Sequence, residues 1–189
     1  MSNTPISAFP VAELGNLDED IRQRIESVQE KAGFVPTIFL ALAHRPDEFR
    51  AFFAYHDALM ENDSALTAGE KEMIVVATSG LNQCLYCVVA HGAILRIREK
   101  NPQIADQLAT NYRRGDTSEK QRLMLDYAVK VSQESHKIDN SDRDRMRQAG
   151  FSEDTIWEIG AIAAFFAMSN RLANMSALQP NPEFYGMGR

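Results

Sequence analysis

The chain is poor in sulfur that could form bridges: among 189 residues it holds two cysteines, Cys84 and Cys87. So few thiols exclude a disulfide-stapled scaffold, and without a second Cys-x-x-Cys they exclude a four-sulfur zinc site. A basic face is also missing. The net charge is -6, and neutralising phosphates needs clustered Lys and Arg, so nucleic acid is not an expected partner. The one basic cluster, Arg96 to Lys100, contains Glu99 and reads as a solvated helix end. Long apolar runs are absent too. Ile159 to Met168 is about half of the ~20 residues that span a bilayer, which predicts a buried or interface helix and no membrane partner. The opening Met1-Ser2-Asn3-Thr4-Pro5-Ile6-Ser7 lacks the basic and apolar regions of a secretory signal, which predicts a cytoplasmic protein. There is no internal repeat or low-complexity linker, and alternating strand-like runs are nearly absent.

What remains is helical spacing. Apolar residues at 44% and charged residues at 24% are ordinary globular usage, and the length suffices for a core without staples. The expectation is an all-α fold forming one domain over residues 1–189, with a helical segment at 1–45, a core at 46–100, and further helices and an arm at 115–189. A first helix is predicted from Asp18 to Lys31, stopped by Gly33 and Val35-Pro36. A short apolar segment follows from Thr37 to Ala43, and Pro46 opens a helix through Phe49, Phe53 and Leu59. Thr67-Ala68-Gly69-Glu70 is a capping-box pattern, which starts a helix near Ala68 that Gly80 should end. Asn82 is suited to cap the next helix, carrying both cysteines to about Arg98. Asn101-Pro102 is a break. Ser118 with Gln121, Ser141 with Asp144, and Ser152 then cap three more helices, the last reaching Met175. The Pro- and Gly-rich stretch from Gln179 to Arg189 is expected to be an extended arm.

Placed on these helices, the reactive residues fall into line. Cys84, Cys87 and His91 are three and four residues apart, which puts them on one helix face. If the two helices form an antiparallel hairpin turning at Leu81 and Asn82, Glu72 lies level with His91. The spacing therefore predicts a row of carboxylate, imidazole and two thiols, in which Glu72 orients His91 and His91 takes the proton of Cys87. Cys84, in the first turn, would gain thiolate character from the positive end of the helix and could compete as the attacking sulfur.

Glu72, eleven residues, Cys84-Leu85-Tyr86-Cys87, three residues and His91 resemble the signature of the alkylhydroperoxidase D (AhpD) family, within the carboxymuconolactone decarboxylase superfamily. Phe52 to Ile97 is similar to that family's core domain. Gly33-Phe34-Val35-Pro36 and the Asn82 to Cys87 run resemble its peroxidase-related branch. The resemblance implies an all-helical homo-oligomer that reduces organic hydroperoxides with thiols. It also implies that Cys87 is peroxidatic, that Cys84 resolves the sulfenic acid to a disulfide, and that His91 and Glu72 relay protons. It implies no cofactor, and a thiol or lipoyl-type reductant. One departure is Tyr86, where the best-known member of the family has histidine.

Bland readings stand beside these. The cysteines could be small buried hydrophobes, which would leave the aligned acid and imidazole unexplained. Two thiolates, an imidazole and a carboxylate could hold zinc, although such sulfur pairs more often come from turns. His44, His56 and His136 read as structural. The stripe Trp157, Ala161, Phe165, Phe166 and Met168 reads as core or subunit interface. Two other functions use the same fold or thiols: a redox sensor without turnover, and a decarboxylase-like lyase, which the cysteine pair disfavours.

Overall fold

The computed structural model describes residues 5–189. Among them the chain forms ten α-helices and no strand. These are α1 (Glu19–Ala32), α2 (Thr37–Ala43), α3 (Pro46–Met60), α4 (Ala68–Leu81), α5 (Leu85–Glu99), α6 (Ile104–Asn111), α7 (Glu119–Glu134), α8 (Asn140–Gln148), α9 (Glu153–Met175) and α10 (Glu183–Gly186). The all-α expectation holds, and most helix starts follow from local chemistry. Thr67 and Glu70 close the capping box of α4, Ser118 and Gln121 that of α7, and the Ser152 hydroxyl accepts from the Thr155 amide at the head of α9. Gly33 ends α1 in the left-handed region at φ +83°, where its N–H reaches the Gln29 carbonyl at 2.8 Å.

α4 is the hub. It lies against α5, α6, α7 and α9, and Met73, Ile74, Val75, Val76 and Ala77 are all buried. A helix with apolar residues all round is stable only when covered on every side. Two charged side chains are buried with it. Lys71 sits 3.2 Å from Glu158 of α9 and donates to Asn62, whereas Glu72 points the other way, toward α5. A charge taken out of water needs such a partner. A separate apolar cluster of Ile21, Ile25, Phe39, Phe49 and Phe53 joins α1, α2 and α3.

The α4–α5 connection differs from expectation. α4 runs past Gly80 to Leu81, and Asn82 is its C-cap, not the N-cap of α5. Gln83 takes a left-handed φ of +53°. Its N–H bonds the Gly80 carbonyl at 3.1 Å, and the Cys84 N–H bonds the Ser79 carbonyl at 3.0 Å. This pair of bonds is a Schellman ending. It uses Asn82 and Gln83 to close one helix, so the next starts later, with Cys84 as its N-cap. Gly80 has a different role from ending α4. A Cβ there would lie 2.5 Å from the Ala109 carbonyl oxygen, so its bare Cα lets α4 approach α6.

Other differences are local. α8 is capped by Asp139 with Asp142, two residues earlier than Ser141 with Asp144, because Asp139 accepts from both the Ser141 and Asp142 amides. Helix α6, within a stretch left without an element by the spacing, follows the Asn101-Pro102 break. Arg96 is not solvated. It is buried and donates to the carbonyls of Met187 and Phe184, each at 2.8 Å. The arm is thereby held in place, and it coils into α10 rather than staying extended. Of the stripe on α9, Phe165 and Phe166 are core, whereas Trp157 is 79% exposed.

Candidate active site

The α4–α5 hairpin brings the four predicted residues together. His91 Nδ1 lies 2.8 Å from Glu72 Oε2, with both side chains largely buried. Cys87 precedes His91 by one turn of the same helix, and both line one cavity of about 290 Å³. Most of its wall is apolar, including Ile38, Phe53, Phe166 and Phe184. Among the described residues the Nε2 of His91 has no hydrogen-bond partner, so once Nδ1 is engaged by Glu72 the other nitrogen is available for a proton.

The two sulfurs are unequal. Cys84 is fully buried, does not line that cavity, and accepts the Cys87 N–H at 3.4 Å. The Cys87 thiol and this backbone N–H both favour a Cys84 thiolate, outweighing burial, and lower its pKa from 9.0 to about 7. Cys87 moves the opposite way. The neighbouring Cys84 and burial raise its pKa well above 9.0. The accessible sulfur is therefore a thiol in need of a base, and the thiolate stands behind it. Both cysteines are free. Among the described residues no three His, Cys, Asp or Glu side chains converge as a metal site.

Several neighbours were not foreseen from the sequence. Asn170 and Ser169 of α9 reach the sulfur pair; Asn170 favours the charged form of both thiols, Ser169 that of Cys87. Asn170 is fully buried, donates to Ser79 Oγ at 2.9 Å and accepts from Asn82 at 2.8 Å. The signal was present as two polar residues interrupting the apolar stretch of α9. His56, read as structural, also lines the cavity. Tyr86 is buried, and its hydroxyl accepts the Ile38 N–H at 3.4 Å, fastening α2 to α5. Burial pushes its phenol well up, so it stays neutral.

Residues 46–111 match the model of the carboxymuconolactone decarboxylase family, and no curated protein matches the chain. The chain is 62% identical to an alkylhydroperoxidase AhpD core, peroxidase-related protein from Ralstonia eutropha JMP134, with 98% of each chain covered and a TM-score of 0.97. A peroxidase-related protein from Silicibacter sp. TM1040 is 38% identical over 100% of each chain, with a TM-score of 0.94. The debrominase Bmp8, solved with 2,3,4-tribromopyrrole, shares the fold at 20% identity and a TM-score of 0.78, covering 98% of this chain and 96% of that one. The chain belongs to the AhpD-like carboxymuconolactone decarboxylase superfamily.

Proposed function

We propose that the protein is a thiol-dependent peroxidase that reduces organic hydroperoxides through a Cys84/Cys87 dithiol–disulfide cycle. The observation that carries this reading is the Glu72-held imidazole of His91 beside Cys87 on an apolar cavity. His91 takes the Cys87 proton, and the Cys87 sulfur attacks the terminal oxygen of the hydroperoxide. The O–O bond breaks, its electron pair leaves on the alkoxide, and His91 returns the proton to it. The products are an alcohol and a Cys87 sulfenic acid. The Cys84 thiolate then attacks the Cys87 sulfur; the departing hydroxide takes up a proton to leave as water, and a disulfide forms. An external thiol or lipoyl-type dithiol restores the pair, and no organic cofactor enters the cycle. A single domain, a homo-oligomer and a cytoplasmic site of action complete the reading. Among the described residues no helix is long and apolar enough to cross a membrane.

The test is dithiothreitol-coupled turnover of cumene hydroperoxide by wild type, Cys84→Ser and Cys87→Ser. Loss of turnover in both variants, with a sulfenic acid trapped only where Cys87 remains, is the expected result. Wild type with free thiols and no turnover would overturn it. A second reading is favoured by the bound tribromopyrrole of the debrominase and by the aromatic wall here. In reductive dehalogenation, two thiols become a disulfide, carbon–bromine becomes carbon–hydrogen, and bromide and a proton are released. Bromide release from 2,3,4-tribromopyrrole without peroxide turnover would select it.

A further inference from the structure

The cavity has a second imidazole that the cycle above does not use. His56, on α3, lines the wall together with Cys87, His91 and Phe166. Its Nδ1 lies 3.2 Å from Asp57 Oδ1. Asp57 is in turn gripped by both terminal nitrogens of Arg24 on α1, each at 2.8 Å, and the Arg24 guanidinium sits over the Phe53 ring at 4.8 Å. Arg24–Asp57–His56 thus repeats, from the other side of the sequence, what Glu72 does for His91: a fixed carboxylate holds one ring nitrogen and sets the ring. Both imidazoles present an edge contact to the same Phe166 ring, His91 at 4.8 Å and His56 at 6.3 Å.

A ring nitrogen sealed in packing needs a protein partner, whereas one that opens onto a cavity can be left free for what enters it. Here, among the described residues, Nε2 of His56 has no partner. With the proton on Nδ1 directed at Asp57, Nε2 is left as a lone-pair acceptor. The charged groups around it are Asp57 on α3, Glu61 at the C-cap of that helix, Arg24 on α1, Glu72 on α4 and His91 on α5. Burial, followed by the neighbouring His91, depresses the His56 pKa below 6.5 against the opposing pull of Asp57. The ring is neutral at pH 7 and suited to accept a hydrogen bond, not to donate from Nε2.

We propose that His56 is the substrate-binding acceptor of this cavity, taking the O–H of the hydroperoxide's terminal oxygen on Nε2 while the organic group lies against the aromatic wall. The proposal rests on the peroxidase reading for the identity of the ligand. It assigns the two imidazoles different tasks: His91 carries the proton from Cys87 to the alkoxide, whereas the O–H held by His56 is never transferred. That O–H becomes the O–H of the Cys87 sulfenic acid, so His56 aims the attacked oxygen and then holds the product. Preferred ligands are uncharged and apolar with one hydroxyl hydrogen to give.

The test uses unreactive probes on the reduced full-length protein: cumyl alcohol, which has the hydroxyl, and its methyl ether, which lacks it. Wild type should bind the alcohol about tenfold more tightly than the ether, the scale of one hydrogen bond. His56→Phe should bring the two within about twofold, and His56→Gln, whose amide oxygen still accepts, should keep part of the gap. With cumene hydroperoxide, His56→Phe should raise KM more than it lowers kcat. An alcohol–ether gap unchanged in both variants, or absent in wild type, overturns the proposal even if turnover is normal. A His56-dependent gap in a protein without peroxide turnover keeps His56 as the acceptor and removes only the peroxidase reading.

Discussion

Two thiols three residues apart differ here because Cys84 accepts from the Cys87 thiol and, to a smaller extent, from the Cys87 backbone N–H. The Cys84 pKa, lowered from 9.0 to about 7, contributes stability that is complete above the unfolded value and is lost as pH falls through the folded one. Stability should therefore rise from pH 7 to 9 in wild type more than in Cys84→Ser. Above pH 9 the trend should reverse, since burial and the neighbouring sulfur resist ionisation of Cys87. Urea denaturation across this range measures both limbs, and thiolate absorbance should show a first inflection near 7 that Cys84→Ser removes. His91→Ala should slow peroxide turnover at neutral pH by about 10²-fold or more, the scale of a lost general base. Glu72→Gln should cost less because the amide oxygen can still orient the ring; equal losses in single-turnover assays would count against that ranking. The Glu72–His91 pair was legible in the sequence because an antiparallel hairpin equates positions on either side of its turn. His56 was not. It reaches the cavity through the crossing of α3 over α9, and no spacing within one helix encodes that crossing.

At the scale of the element, the turn between α4 and α5 decides where the thiols sit. Intrinsic preference favours Asn82 as the start of α5. The chain instead spends Asn82 and Gln83 on closing α4, and Asn82 turns its amide to Ser132 and Asn170, at 3.2 and 2.8 Å. Helix endings of this kind need a left-handed residue, and a sequence with glutamine there gives no warning of one. Gln83→Gly should raise unfolding stability by up to about 1 kcal/mol, since a side chain is unfavourable at its φ of +53°. Gly80→Ala should lower it by about 1–3 kcal/mol, the usual cost of overpacking, as the Ala109 carbonyl occupies the space. Chemical denaturation of the two variants tests both signs. The box at Thr67 and Glu70 was readable because all its parts lie within four residues. The same locality misled at α8, where Ser141 and Asp144 offered a similar pattern two residues after the working Asp139 and Asp142.

Across the whole molecule, the cavity wall is completed by the C-terminal segment, to whose approach the N-terminal residues and α2 are bonded. The Thr37 N–H donates to Asn181 Oδ1 at 2.8 Å, and Ala8 and Gln179 make backbone bonds to Ser176 and Ile6 at 2.7 and 2.9 Å. Phe184 and Met187 form part of the cavity wall, and their carbonyls are what Arg96 grips. Arg96→Met should loosen residues 184–189, seen as faster amide exchange there, and weaken binding of apolar ligands. Unchanged exchange would mean that the Arg189 to Asp106 pair, at 2.9 Å, holds the tail alone. The sulfur cap on α5 has a consequence for electron transfer. A Cys84 thiolate accepts the Cys87 N–H better than a disulfide sulfur would, so folding favours the dithiol. Stabilising the reduced form makes the oxidised form a stronger electron acceptor. In the proposed cycle the helix should thereby make the reduction potential of the pair less negative, so that even weakly reducing thiols would suffice to reset it.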